Sequence, residues 1–189
     1  SPYPNVPAHN VYWSIGYNYR MTAIQAAMGL VQLRRLDKFI EKRRKNAEHL
    51  TKHIKDIEGI KPPFVRGDVK HVYWAYGALI IEEELGISRD KFAEALLAEG
   101  IRAEGYCPIP VHLQDVIKNK VGYGNTTCPF DCPLYGEKIS YQRGLCPKAE
   151  KLSSQDLLLP VYHTLTEGDL KDVVNALKKV AINVDKLRD

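Results

Sequence analysis

Long apolar runs are missing from this sequence of 189 residues. Nothing in it approaches the ~18 consecutive apolar residues of a membrane-crossing helix. The opening SPYPNVPAHN lacks the charged-then-apolar order of a secretory signal, so the expected location is the cytoplasm. Cysteine is scarce: four in a chain of this length do not suggest a disulfide scaffold. They do not suggest zinc either. Cys128 and Cys132 make one CxxxC pair, while Cys107 and Cys146 stand alone with no second knuckle. Strong charge of one sign is also absent. A formal net charge of +4 with 26% charged residues is milder and less clustered than nucleic-acid binders usually show. No internal repeat or low-complexity tract stands out. There is no initiator methionine, and Pro2, Pro4 and Pro7 give an extended arm without apolar periodicity. The chain is expected to be a piece of something longer, or a processed product.

What is present is organised around one stretch, Gly16 to Ala47. A polar-aromatic loop, Gly16-Tyr17-Asn18-Tyr19-Arg20, runs directly into a long amphipathic pattern. Thr22 and Gln25 have the spacing of a capping box. Beyond them Ile24, Ala27, Met28, Val31, Leu36, Ile40, Ala47, Leu50 and Ile54 recur at mostly three- and four-residue steps, with Arg34, Arg35, Lys38, Glu41, Lys42 and Lys45 opposite. The spacing predicts a helix over about Ala23 to Glu58, stopped by Gly59 and the prolines at 62 and 63.

Downstream, His71 to Ile81 is dense in β-branched and aromatic residues and predicts a strand. Ser88 caps a helix over Arg89 to Glu99 that ends at Gly100. Ile101 to Tyr106 predicts a second strand, and Leu113 to Asn119 a helical turn or two. Gly122 to Lys148 predicts a long loop, residues 148–155 a short helix, and Leu157 to Pro160 a third strand. Thr166, with Asp169 three residues on, caps a last helix whose buried stripe is Leu170, Val173, Val174, Leu177 and Val180 or Ala181. A short strand over Val11 to Ile15 is expected before the loop. The order implies an α/β chain of α+β character, a small sheet with helices packed on one face.

Chemistry can sit in few places. A loop entering a helix N-terminus offers free amides and positive potential to an anion, and Asn18 and Arg20 add an amide and a guanidinium suited to phosphate or carboxylate. The same two residues also fit plain polar loop positions capping the helix. His112 follows a proline turn and has a structural reading as well as a ligand one. His163 fits a satisfied structural residue. His49 and His53 at i,i+4 lack a third metal ligand and fit a solvated face. The basic run at 42–45, interleaved with Asp37 and Glu41, fits an ordinary helix surface.

The segment GYNYRMT-x-IQAA-x-G-x-x-QL-x-x-LD, followed by K-R-R-x-x-A, closely resembles the start of the C-terminal part of sugar aminotransferases of the DegT/DnrJ/EryC1/StrS family. PIPVHLQ at 108–114, LPVYH at 159–163 and LTEGD at 165–169 agree with it, so the resemblance runs from about Tyr12 to Val180. It implies the small C-terminal domain of a fold-type I pyridoxal-phosphate (PLP) transferase plus a long linking helix. Residues 1–21 would belong to an absent large domain as arm and interface loop, and residues 22–189 would form linking helix and small domain. It implies a homodimer in which Asn18 reaches the partner's PLP phosphate and Arg20 lies at the same composite site, near cofactor and amino-donor carboxylate. His112, and more weakly Tyr106, become substrate-contact candidates. The reaction implied moves an amino group from glutamate or glutamine to a keto-sugar or cyclitol, most often nucleotide-linked. Such an enzyme needs a Schiff-base lysine and an acidic partner for the pyridine nitrogen. The first lysine here is Lys38, inside the predicted helix, so no catalytic residue is assigned and the chain alone is expected to be inactive. A non-catalytic dimerisation or regulatory module is the rival reading, and a nucleic-acid-binding helix a more distant one.

Overall fold

The computed structural model describes residues 17, 19–133 and 136–188. The chain divides into two compact units, Ser1–Asp37 and Lys38–Asp189. The expected strand at Val11 to Ile15 lies outside the described residues. In the first unit the described structure is the start of helix α1, which as a whole spans Ala23–Ile54. Its first turn is closed as the sequence predicts. The Thr22 amide donates to Gln25 Oε1 at 2.9 Å, and the Gln25 amide donates to Thr22 Oγ1 at 3.3 Å. Apolar residues of this part, among them Ile24, Met28 and Val31, are exposed.

The second unit holds the core. Its sheet has three antiparallel strands in the order β1 (Ile60–Lys61), β2 (Tyr76–Ile80), β3 (Asp156–Leu159). The register sets Tyr76 opposite Leu159, Ala78 opposite Leu157 and Ile80 opposite Ile60. Alternation along a strand therefore puts all six on one face, and that face is buried. The end of α1 brings Ala47, Leu50 and Ile54 to the same core. It is completed by Phe92 and Leu96 of α3 (Arg89–Ala98) and by Leu170, Val173, Val174, Leu177 and Val180 of α6 (Glu167–Ile182). Each fully buried Leu, Ile or Phe there contributes roughly 1.5–3 kcal/mol relative to exposure.

The two caps read from the sequence in this unit are also made. Ser88 Oγ accepts from the Lys91 amide, and Thr166 and Asp169 form a reciprocal capping box. Other boundaries shift. Helix α1 stops at Ile54 rather than near Glu58, because the chain tightens into turns (Ile57 N to Ile54 O, 3.0 Å) before Gly59 takes the left-handed φ of +73°. The strand expected from His71 begins only at Tyr76. Tyr73 turns to φ +47° with its amide on His71 Nδ1, which diverts the chain despite its β-favouring composition. The expected turn at 82–86 is a one-turn helix, α2 (Glu82–Leu85). The expected strand over Ile101 to Tyr106 reduces to one bridge, Glu104 to Leu158. After it come a 3₁₀ turn (Val111–Leu113), α4 (Asp115–Lys118), an irregular run, and α5 (Pro147–Gln155). A 3₁₀ turn at Val184–Leu187 follows α6. Among the described residues no helix is long and apolar enough to cross a membrane.

Candidate functional site

Arg20 and Asn18 were singled out before the helix. Asn18 lies outside the described residues. Arg20 is exposed, two residues before the capped start of α1. Tyr17 and Tyr19 beside it are also exposed, their rings 6.0 Å apart. A capped helix N-terminus fixes the direction in which its positive end points. The adjacent guanidinium adds a full charge. This is an arrangement able to meet an anion, and it belongs to the first unit alone.

His112 and Tyr106 belong to the second unit and line different cavities. Tyr106 is exposed and stands edge-on to Trp74, ring centroids 5.6 Å apart. With Arg43 and Tyr162 these rings border a cleft of about 800 Å³. The Arg43 Nε in its wall is buried and has no hydrogen-bond partner among the described residues. The sequence placed Arg43 on an ordinary charged surface, and no spacing rule distinguishes it from the basic residues on either side. Glu41 and Lys45, by contrast, do form the expected i,i+4 pair, at 4.0 Å.

His112 sits on the 3₁₀ turn after the prolines, nearly buried, with Nε2 2.9 Å from Glu150 Oε1. Glu150 rides the first turn of α5 and also accepts from the Gly144 amide (2.8 and 3.0 Å) and from the Cys146 amide (3.3 Å). The Gly144 bonds, then His112 and Cys146, hold the Glu150 carboxyl below the usual range against the opposing effect of desolvation. His112 is thus oriented by a carboxylate 38 residues away, which no local pattern announces. Its outer side faces a largely apolar cavity bordered by Cys107, Phe130, Tyr141 and Cys146.

His163 packs its ring 4.1 Å from Phe39. His49 and His53 stack at 4.2 Å and are half-buried rather than a solvated face, with burial, then His53, lowering the pKa of His49. Cys107 and Cys146 are exposed, and Cys128 and Cys132 half-buried. The bond with Cys132, then burial, raises the Cys128 thiol. Among the described residues no group of three His, Cys, Asp or Glu is placed to hold a metal ion.

Comparison with known proteins follows the same geography. The model of the DegT/DnrJ/EryC1/StrS aminotransferase family matches residues 5–131 and 129–178. The chain is 34% identical over 161 residues to a GDP-perosamine synthase of Escherichia coli O157:H7, covering 84% of this chain and 36% of that one. It is 32% identical over 165 residues to the uncharacterized protein MJ1066 of Methanocaldococcus jannaschii, covering 87% and 38%. Among solved structures, S. venezuelae DesV in complex with a ketimine intermediate superposes with TM-score 0.72 at 24% identity, over 91% of this chain and 40% of that one; this likeness is one of fold. The chain spans about two fifths of the length of the curated relatives it matches.

Proposed function

The chain belongs to the DegT/DnrJ/EryC1/StrS aminotransferase family, and on that premise we propose that it forms the C-terminal part of a PLP-dependent sugar aminotransferase. Residues 1–21 serve as arm and interface loop of a large domain, and residues 22–189 as linking helix and small domain. The whole enzyme, a cytoplasmic homodimer, moves an amino group from glutamate or glutamine to a keto-sugar or cyclitol, the sugar linked to a nucleotide. The observation that carries this reading is the family match across residues 5–178, which includes the loop and capped helix start where an anion is best met.

The residues present fit the cofactor's phosphate. Arg20, and Asn18 by its amide, are of the donor types that hold a phosphate at a helix N-terminus. Pyridoxal phosphate, when bound, supplies the electron sink for amino transfer. In this reading Asn18 holds the phosphate of the partner subunit's cofactor. Arg20 orients the donor carboxylate as well as contributing charge. His112, fixed by Glu150, and Tyr106 contact substrate at the mouth of the small domain. In this reading the lysine that would hold the cofactor covalently is supplied from outside these 189 residues.

The test is a comparison of two polypeptides. The purified 189-residue chain, given pyridoxal phosphate, glutamate and a nucleotide-linked keto-sugar, is expected to form no amino-sugar. The same chain joined to an upstream large domain bearing the lysine is expected to form it. In that longer enzyme Asn18→Ala and Arg20→Ala should each weaken cofactor retention, read from the absorbance of bound pyridoxal phosphate after dialysis. Turnover by the short chain alone, or unchanged retention in both variants, contradicts the assignment.

A further inference from the structure

We propose that Cys128 and Cys132 are a site of reversible oxidation, where a small-molecule disulfide such as oxidised glutathione converts the two thiols into one intramolecular disulfide. As a metal site the pair is incomplete: among the described residues no group of three His, Cys, Asp or Glu is placed to hold an ion. As a dithiol it is complete, because the fold brings the two sulfurs together.

The turn that carries them is closed by its own hydrogen bonds. The Thr127 carbonyl accepts from the amides of Phe130 and Asp131, at 2.7 and 3.3 Å, so the chain between the cysteines doubles back. The Cys128 carbonyl accepts from the Tyr123 amide at 2.9 Å, and the Cys128 amide donates to Thr126 Oγ1 at 3.3 Å. Gly122 lies so close to that carbonyl that an added Cβ would collide with it. Lys120 Nζ donates to both oxygens of Asp131, at 2.8 and 3.0 Å. Phe130 stands edge-on to Tyr141, ring centroids 5.9 Å apart. In this fixed setting the Cys128 thiol is hydrogen-bonded to Cys132. Two sulfurs already in contact meet the distance condition on which most cysteine pairs fail. Both residues are half-buried rather than sealed off, so a small oxidant can reach them.

Cys132 attacks first. Its bond with Cys132, then burial, raises the Cys128 thiol and keeps it protonated, which makes Cys128 the poorer initial nucleophile. Cys132 gives its proton to solvent, and its sulfur displaces one thiolate from the oxidant, leaving a mixed disulfide. Cys128 then gives up its proton, and its sulfur attacks that of Cys132 and expels the second thiolate. The two protein sulfurs lose two electrons, and the two glutathione thiolates take up two protons to leave as thiols. Excess thiol runs the exchange backwards. The new bond closes a ring around Phe130 and Asp131, locking the turn that holds Lys120.

The 189-residue chain, equilibrated in mixtures of reduced and oxidised glutathione, quenched in acid and alkylated, tests this by peptide mass spectrometry. Cys128 and Cys132 are expected in one peptide lighter by two hydrogens, while Cys107 and Cys146 take up the alkylating agent. Because the fold pre-positions the pair, half-oxidation of the native chain should need a glutathione ratio at least about tenfold more reducing than that of the chain unfolded in urea. Cys128→Ser should stop at the mixed disulfide of Cys132 with glutathione. Cys132→Ser should form the corresponding adduct at Cys128 more slowly. Equal midpoints in the native and unfolded chains overturn the proposal. So does a native pair that stays alkylated where the unfolded pair is oxidised, or a disulfide from either cysteine to Cys107 or Cys146. Adducts forming equally fast in the two variants overturn the order of attack. The midpoints are read on the unsubstituted chain, so they decide the matter even where a serine variant fails to fold.

Discussion

A guanidinium that is only 4% exposed must be answered by partners of its own, and Arg89 is. Its Nε meets Asp90 Oδ1 and its Nη1 donates to the Asp156 carbonyl, both at 2.6 Å. Space for it depends on Gly105, where an added Cβ would lie 1.7 Å from Nη1. Gly105→Ala is therefore expected to cost about 1–3 kcal/mol, seen as a lower urea midpoint at unchanged slope. Tyr76 makes a different residue-scale prediction. Fully buried, with its hydroxyl 2.8 Å from Thr51 Oγ1, it has its pKa pushed up from 10.0 to about 12, chiefly by burial. A raised folded value means that its contribution is complete below pH 10 and is lost as pH climbs from 10 through 12. Thermal unfolding of the native chain should weaken faster over that window than that of Tyr76→Phe. The variant itself gives up about 1 kcal/mol at neutral pH for the missing hydrogen bond.

Helices show at the next scale why some of this fold was legible and some was not. The caps at Thr22, Ser88 and Thr166 were read correctly because donor and acceptor lie three residues apart, within one turn. Thr166→Ala is expected to destabilise by about 1 kcal/mol, with amide exchange accelerating first in the opening turn of α6. The backbone and hydroxyl bonds from Thr166 hold the Asp169 carboxyl below its ordinary value. That contribution is present above the unfolded value and disappears as pH falls through the folded one, so the difference between native chain and variant should narrow in acid. Strands were legible only in part. Two residues, Ile60 and Lys61, become β1 solely because Ile80 and Leu79 lie opposite. Tyr73 leaves the strand by a left-handed turn that its composition argues against. For the candidate sites, the motif residues were visible, while Glu150 behind His112 and the buried Arg43 Nε arise from packing between distant segments, which no spacing encodes.

At the scale of the whole chain, the early part of α1 shows what the described residues leave uncovered. Ile24, Met28 and Val31 share one helix face by their i, i+4, i+7 spacing, and they are 76%, 64% and 51% exposed. Ala47, Leu50 and Ile54 further along are fully buried. An apolar stripe this open favours association. In the proposed homodimer it would be covered by the large domain or by a second copy. Sedimentation velocity of the 189-residue chain is therefore expected to show weight-average mass rising with concentration. Ile24→Glu/Met28→Glu should remove that rise while keeping helicity, since glutamate is a good helix former. Adding the proposed upstream domain should replace open-ended association with one defined dimer, because a covered stripe no longer recruits further copies. A chain that stays monomeric to about 100 μM, where an interface of micromolar strength would be well populated, would show that this face does not drive self-association. The dimer would then have to be built by the upstream domain.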